Sequence, residues 1–248
     1  MKIKMTPKLR KALIKITAIL CSLVVVFGAC GLYINDYYRA DTLAILEMDN
    51  KGNIAEGTRK DGTLVFEPSS IRAGLIFYQG EKIDHNAYVP LMRELAQDGI
   101  LCVLIKMPLR LATLNKNAAN EIQEAYSEIE DWYMAGHSLG GSTAASYISK
   151  HADEYKGLIL LASYSTVDLS NSGLKVMSIY GSEDGVMNRK KYEKCKKNLP
   201  ENFKQYIIDG GNHAFFGMYG TQKGDGEGSY GNERQITYTA GKIDAFIG

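Results

Sequence analysis

Residues 132–141 read Trp-Tyr-Met-Ala-Gly-His-Ser-Leu-Gly-Gly, and the reading of the whole chain turns on them. Trp132–Ala135 is a short apolar run, expected as a strand. It meets Gly136-His137-Ser138-Leu139-Gly140, which fits G-x-S-x-G. Leu139–Lys150 then has helical spacing, opening on small residues. A strand, a sharp turn and a helix are expected, with Ser138 at the turn. Gly136 and Gly140 then have a physical purpose. A side chain at either would crowd a strained turn and keep the serine from standing above the sheet. An ordinary glycine-rich turn is the plainer alternative, and the strand-to-helix setting argues against it.

Outward from this stretch the chain alternates. Ala73–Tyr78, Ile100–Ile105, Gly157–Ala162, Lys175–Tyr180 and Lys204–Ile208 are short strand-like runs. Asn86–Gln97, Ala112–Ile129, Asn188–Lys197 and Arg234–Ile247 carry helical spacing. Strands apolar on both faces, each followed by a helix, describe a mostly parallel sheet with helices on both faces, hence the α/β class. Asn53–Arg59 and Thr63–Phe66, joined by Lys60-Asp61-Gly62, read as a hairpin at its start. Gly217–Gly231 holds six glycines in fifteen residues and is expected as a loop. Ser163–Leu174 is too short to insert a large cap domain.

Ligands of such sheets bind at the C-terminal strand ends, so the residues just after each run matter most. A serine hydroxyl is a weak nucleophile without a base, and the base needs an orienting acid. The order that accompanies this elbow is serine, acid, histidine. Of the four histidines only His213 follows Ser138 at a strand end, in Asp209-Gly210-Gly211-Asn212-His213. Asp184, in Gly181-Ser182-Glu183-Asp184-Gly185, is the expected acid, with Asp168 as runner-up and Asp209 and Glu183 behind it. The expected oxyanion donors are the N–H of Leu139 and that of Glu81, in the loop Gln79-Gly80-Glu81-Lys82. His137 reads as packing or backbone support, and His85 as a loop residue or a lining one. No metal or organic cofactor is required, and Asp225-Gly226-Glu227 lacks the ligand ladder of a calcium loop.

Ile16–Ile34 carries no formal charge, and nineteen residues suffice to span a bilayer as a helix. Residues 1–15 hold six bases and no acid, so the positive-inside rule keeps the N-terminus cytoplasmic. The expected organisation is a basic segment 1–15, a transmembrane signal-anchor helix 16–34, a connecting segment 35–52 with helical character over Asn35–Asp49, and the catalytic domain 53–248. A cleaved signal peptide or a lipoprotein cut before Cys30, after Phe27-Gly28-Ala29, are the alternatives. All three place the domain beyond the cell membrane. Residues 16–248 hold 23 bases and 28 acids, net −5, which argues against nucleic acid as a partner. The four cysteines form no disulfide framework. The sequence names no protein partner.

With these residues in hand, the chain resembles the α/β-hydrolase superfamily, and within it the dienelactone-hydrolase-like group, α/β-hydrolase family 5. The likeness runs from Tyr37-Tyr38-Arg39-Ala40 to the C-terminus. It includes Gly74–Gly80, Lys106-Met107-Pro108-Leu109 with Leu111-Ala112, Gly136–Gly141, Tyr180–Gly185 and Gly210–Gly217. The resemblance implies an α/β-hydrolase fold and carries the triad onto Ser138, Asp184 and His213. Dienelactone hydrolases proper use a cysteine nucleophile where this chain has Ser138, so their substrate is not implied. Gln79-Gly80-Glu81 also departs from the group's Pro-Gly-Gly. The expected activity is hydrolysis of a small ester or thioester at an open site. An acyltransferase or peptidase acting on envelope material, and a catalytically silent tethered binding module, are the competing readings.

Overall fold

A computed structural model describes residues 6–49, 54–120 and 122–248. The chain divides into two compact units, residues 1–37 and 38–248.

The first unit is one helix, α1 (Pro7–Asn35). Thr6 caps it by accepting the Leu9 N–H, and Pro7 occupies the first turn, where its missing donor costs nothing. None of its side chains is buried, and its mean hydropathy reaches 2.4 over the most apolar window. By length and composition it can cross a membrane. It runs through the expected span 16–34 and back across the described part of the basic segment.

The second unit is built on an eight-stranded sheet: β1 (Ala55–Thr58), β2 (Leu64–Glu67), β3 (Ala73–Tyr78), β4 (Ile100–Ile105), β5 (Trp132–His137), β6 (Gly157–Leu161), β7 (Lys175–Gly181) and β8 (Lys204–Ile208). Their spatial order is β1-β2-β4-β3-β5-β6-β7-β8. The β1–β2 hairpin pairs antiparallel at one edge, with Thr58 opposite Leu64, and all other pairings but β2–β4 are parallel. Successive side chains of a strand serve opposite faces. Leu75 and Phe77 of β3 therefore join one core layer, and Ile76 and Tyr78 the other.

The first layer is covered by α3 (Val89–Gln97) and α6 (Asn232–Ile247), which pack on each other, and includes Ala44 of α2 (Thr42–Asp49). The second is covered by α4 (Leu139–Ile148) and the segment 112–129. A short helix, α5 (Arg189–Cys195), lays Tyr192 against Tyr180. Residues 38–49, expected within the connecting segment, thus belong to the second unit. Positions 50–52 of that segment and Asn53, the expected start of the hairpin, lie outside the described residues, as do residues 1–5.

Three expectations about elements need correction. Helical character was expected across Asn35–Asp49, but residues 36–41 are not helical: Tyr38 bridges to Ile83, and Asp41 Oδ1 then accepts the Ala44 N–H to start α2. Asn86–Gln97 begins as a 3₁₀ turn, His85–Tyr88, because Pro90 fits only the first turn of the α-helix that follows. Ala112–Ile129 is not one helix but a chain of 3₁₀ turns with i to i−3 bonds, such as Ala118 N–H to Asn115 O. Asn115, Asn117 and Asn120 offer competing local bonds. The Tyr78 hydroxyl also takes the Ala119 N–H at 3.0 Å and donates to Lys116 O at 2.8 Å. Residues 162–174 link β6 to β7, and 217–231 precede α6, both without regular elements.

Candidate active site

Ser138 sits between β5 and α4 at φ 53°, ψ −124°, a left-handed conformation that a side chain adopts only under constraint. The constraint is local crowding. A Cβ on Gly136 would stand 2.6 Å from the Gly140 carbonyl carbon, and one on Gly140 would run into the carbonyl oxygens of Tyr78 and Gln79. Gly141 is equally confined, at 2.7 Å from Ser163. The turn is therefore pressed between its own strand and the loop leaving β3. Ser163 Oγ braces it by donating to the Ser138 carbonyl at 2.7 Å.

Asp184 and His213 meet after β7 and β8. His213 Nδ1 and Asp184 Oδ2 are 2.9 Å apart, with both side chains buried. Asp184 Oδ1 accepts the N–H groups of Val186 at 2.9 Å and Met187 at 2.8 Å. Burial pushes this carboxyl up, but the His213 bond and charge together with those two N–H groups outweigh it and hold it below the usual carboxylate range. His213 Nε2 is buried with no hydrogen-bond partner, so the imidazole is oriented at one nitrogen and open at the other. Its ring packs 4.5 Å from that of His137, which seats it beside the elbow. Ser138 and His213 are not themselves hydrogen-bonded.

Asp168, the runner-up acid, is exposed and holds the Ser170 N–H and hydroxyl. Glu183 and Asp209 are exposed. His85 contacts Asp84 and the Gly62 carbonyl, and so ties the β3 loop to the hairpin.

In the loop after β3 most main-chain donors are engaged. Gly80 N–H goes to the Tyr88 hydroxyl at 3.1 Å, Lys82 N–H to Arg110 O at 3.0 Å, and Ile83 N–H to Gly80 O at 3.4 Å. The Glu81 N–H has no protein acceptor among the described residues. The Leu139 N–H opens α4, where the first donors of a helix lack intrahelical partners and the dipole favours negative charge. Gln79 stiffens the loop: its amide donates to Ile83 O at 2.6 Å and accepts the Met107 N–H at 3.0 Å.

His137 is fully buried at the end of β5. Its Nδ1 lies 2.8 Å from the Tyr88 hydroxyl, which already accepts the Gly80 N–H. His137 Nε2 is buried without a hydrogen-bond partner. Burial, reinforced by His213, drives the His137 pKa well below the usual histidine value, so the ring is neutral. Tyr88 was legible only as an apolar position of a helix. Among the described residues no group of three or more His, Cys, Asp or Glu side chains gathers as a metal site would.

The model of an alpha/beta hydrolase family matches residues 74–237, most of the second unit. The chain belongs to this family. No curated protein matches the hydrolase by sequence. Among solved structures it is similar to TT1662 from Thermus thermophilus, at 13% identity and TM-score 0.60, covering 79% of this chain and 99% of that one. The dienelactone hydrolase from Anabaena variabilis is similar at 14% identity and TM-score 0.55, covering 79% and 97%. A bacterial membrane phospholipase A is similar at 12% identity and TM-score 0.58, covering 96% and 97%. At these identities the likeness is one of fold.

Proposed function

We propose that the hydrolase is a membrane-anchored serine esterase that cleaves a small carboxylic ester or thioester. The observation that carries the reading is the buried Asp184–His213 pair, at 2.9 Å, with His213 Nε2 left unpartnered beside the strained Ser138 turn. A buried imidazole nitrogen without a partner is costly, and a site that must receive a proton from a reacting hydroxyl explains it.

Ser138 Oγ attacks the acyl carbon as His213 Nε2 takes its proton. Asp184 fixes the tautomer with hydrogen on Nδ1 and stabilises the imidazolium. The tetrahedral oxyanion is received by the N–H groups of Leu139 and Glu81. His213 returns the proton to the leaving alcohol or thiol, and water, activated by the same imidazole, releases the acid and regenerates Ser138. The link between β6 and β7 is too short to carry a cap domain, which favours compact or extended substrates over a deep acyl tunnel. The apolar, unburied span 16–34 of α1, with six bases in residues 1–15, supports an anchor there, with the catalytic unit outside the cytoplasm.

The test is hydrolysis of p-nitrophenyl acetate and butyrate by the wild type and Ser138→Ala, with fluorophosphonate labelling. Loss of turnover by a factor on the order of 10³ or more, with loss of label, is expected. Turnover that survives in Ser138→Ala would remove this serine from the mechanism.

A further inference from the structure

The loop 217–231 carries Asp225, which reads in sequence as one of a pair of solvated acids between glycines. In the structure its carboxylate is turned inward onto main chain. Oδ1 accepts the N–H groups of Gly185 at 3.1 Å, His213 at 3.2 Å and Gly226 at 3.0 Å, and Oδ2 accepts that of Ala214 at 2.8 Å. Gly185 follows Asp184, and Ala214 follows His213. One carboxylate therefore holds the backbone of both loops that carry the acid and the base.

The surroundings interlock the same three segments. A Cβ on Gly185 would run into Gly224 O, and one on Gly226 into Glu183 O, so loop 224–226 lies main chain to main chain against the Asp184 turn. On the other side Asn212 Nδ2 donates to Gly226 O at 3.0 Å, and Asn212 Oδ1 accepts the Phe215 N–H at 3.0 Å. Asp225 makes none of its hydrogen bonds to the imidazole ring, so it is no substitute for Asp184. A carboxylate accepting several main-chain N–H groups is a strong, directional fastener, because each bond is charge-assisted.

We propose that Asp225 is the positioning residue of the acid–base pair: by clamping the Gly185 and His213–Ala214 main chains it sets how His213 Nε2 is presented to Ser138. The proposal rests on the esterase reading above. The hydrogen bonds of the Asp225 carboxylate all go to main chain, so its loss is expected to act on turnover rather than on substrate affinity. A displacement of about 1 Å at a reacting group costs on the order of 10²-fold in rate.

The test compares full-length wild type, Asp225→Ala and Asp225→Asn in detergent, by p-nitrophenyl acetate kinetics, fluorophosphonate labelling rate and thermal melting. Asp225→Ala is expected to lose about 10²-fold in kcat, with KM within threefold and labelling slowed in parallel. Asp225→Asn keeps one oxygen for the Gly185 and His213 donors but turns an amide N–H₂ on the Ala214 N–H, so about a tenfold loss is expected. The graded order and the split between kcat and KM are what a merely stabilising role would not produce. Wild-type kcat in either folded variant overturns the clamp. So does a loss that appears only as a lowered melting temperature. If Asp225→Ala does not fold, Asp225→Asn decides alone. A wild type whose Ser138 takes no label defeats the esterase reading itself, whereas equal labelling of wild type and Asp225→Ala defeats only the clamp.

Discussion

Ser138 and Ala162 both hold positive φ without being glycine, and each directly follows a sheet strand. Strain of this kind persists only where neighbours over-determine it, and at Ser138 those neighbours are the tightly packed Gly136, Gly140 and Ser163. The constraint at Asp184 is electrostatic. Its folded pKa is held below the ordinary value of about 3.9, so the bound charge stabilises the fold fully above that value and the contribution is lost as pH falls through the folded pKa. Asp184→Asn is therefore expected to be less stable than wild type by about 1–3 kcal/mol at neutral pH. The gap should begin to close below about pH 4, as measured by denaturant titration. Its kcat should fall on the order of 10³–10⁴-fold, since an amide facing Nδ1 favours the wrong tautomer. A stability gap that widens on acidification would contradict the assigned sign. Ser138, Asp184 and His213 are legible as candidates because each follows its own apolar run, where position alone carries information. Tyr88 and Asp225 are not. One acts through a hydroxyl at the end of an apparently apolar position, the other through backbone groups far away in sequence.

At the scale of elements, strands buried on both faces announce themselves as unbroken apolar runs, and β3 to β7 lie where those runs do. Segment 112–129 did not, because its shape is decided elsewhere. Ala119 gives its N–H to the Tyr78 hydroxyl, and that bond belongs to β3 rather than to the segment. Tyr78→Phe leaves this buried donor unsatisfied and should lower stability by about 1–3 kcal/mol. The far-ultraviolet spectrum should be retained, with the loss read as a shifted urea midpoint. An unchanged midpoint would mean that the 3₁₀ turns stand on their own. The short start of α3 follows a similar logic at smaller range, since Pro90 dictates where an α-helix can begin.

For the whole molecule, the composition supports a globular body with a distinct apolar N-terminal helix, and the two compact units divide at Tyr37 and Tyr38. The proposed topology makes a direct prediction. Protease added to intact cells should digest the catalytic unit while leaving a small fragment that contains α1, and alkaline carbonate should not release the full chain. Protection in intact cells with digestion in inverted vesicles would reverse the orientation. A mature chain lacking about its first 30 residues would make α1 a leader rather than an anchor. The link between β6 and β7 has a practical side as well. Asn171 is exposed at its tip, and a side chain at Gly173 would meet open space. Exposed tips of this kind tolerate insertions. The scaffold therefore offers a splice point where an accessory module, such as a binding domain or a reporter, can be grafted without cutting the sheet.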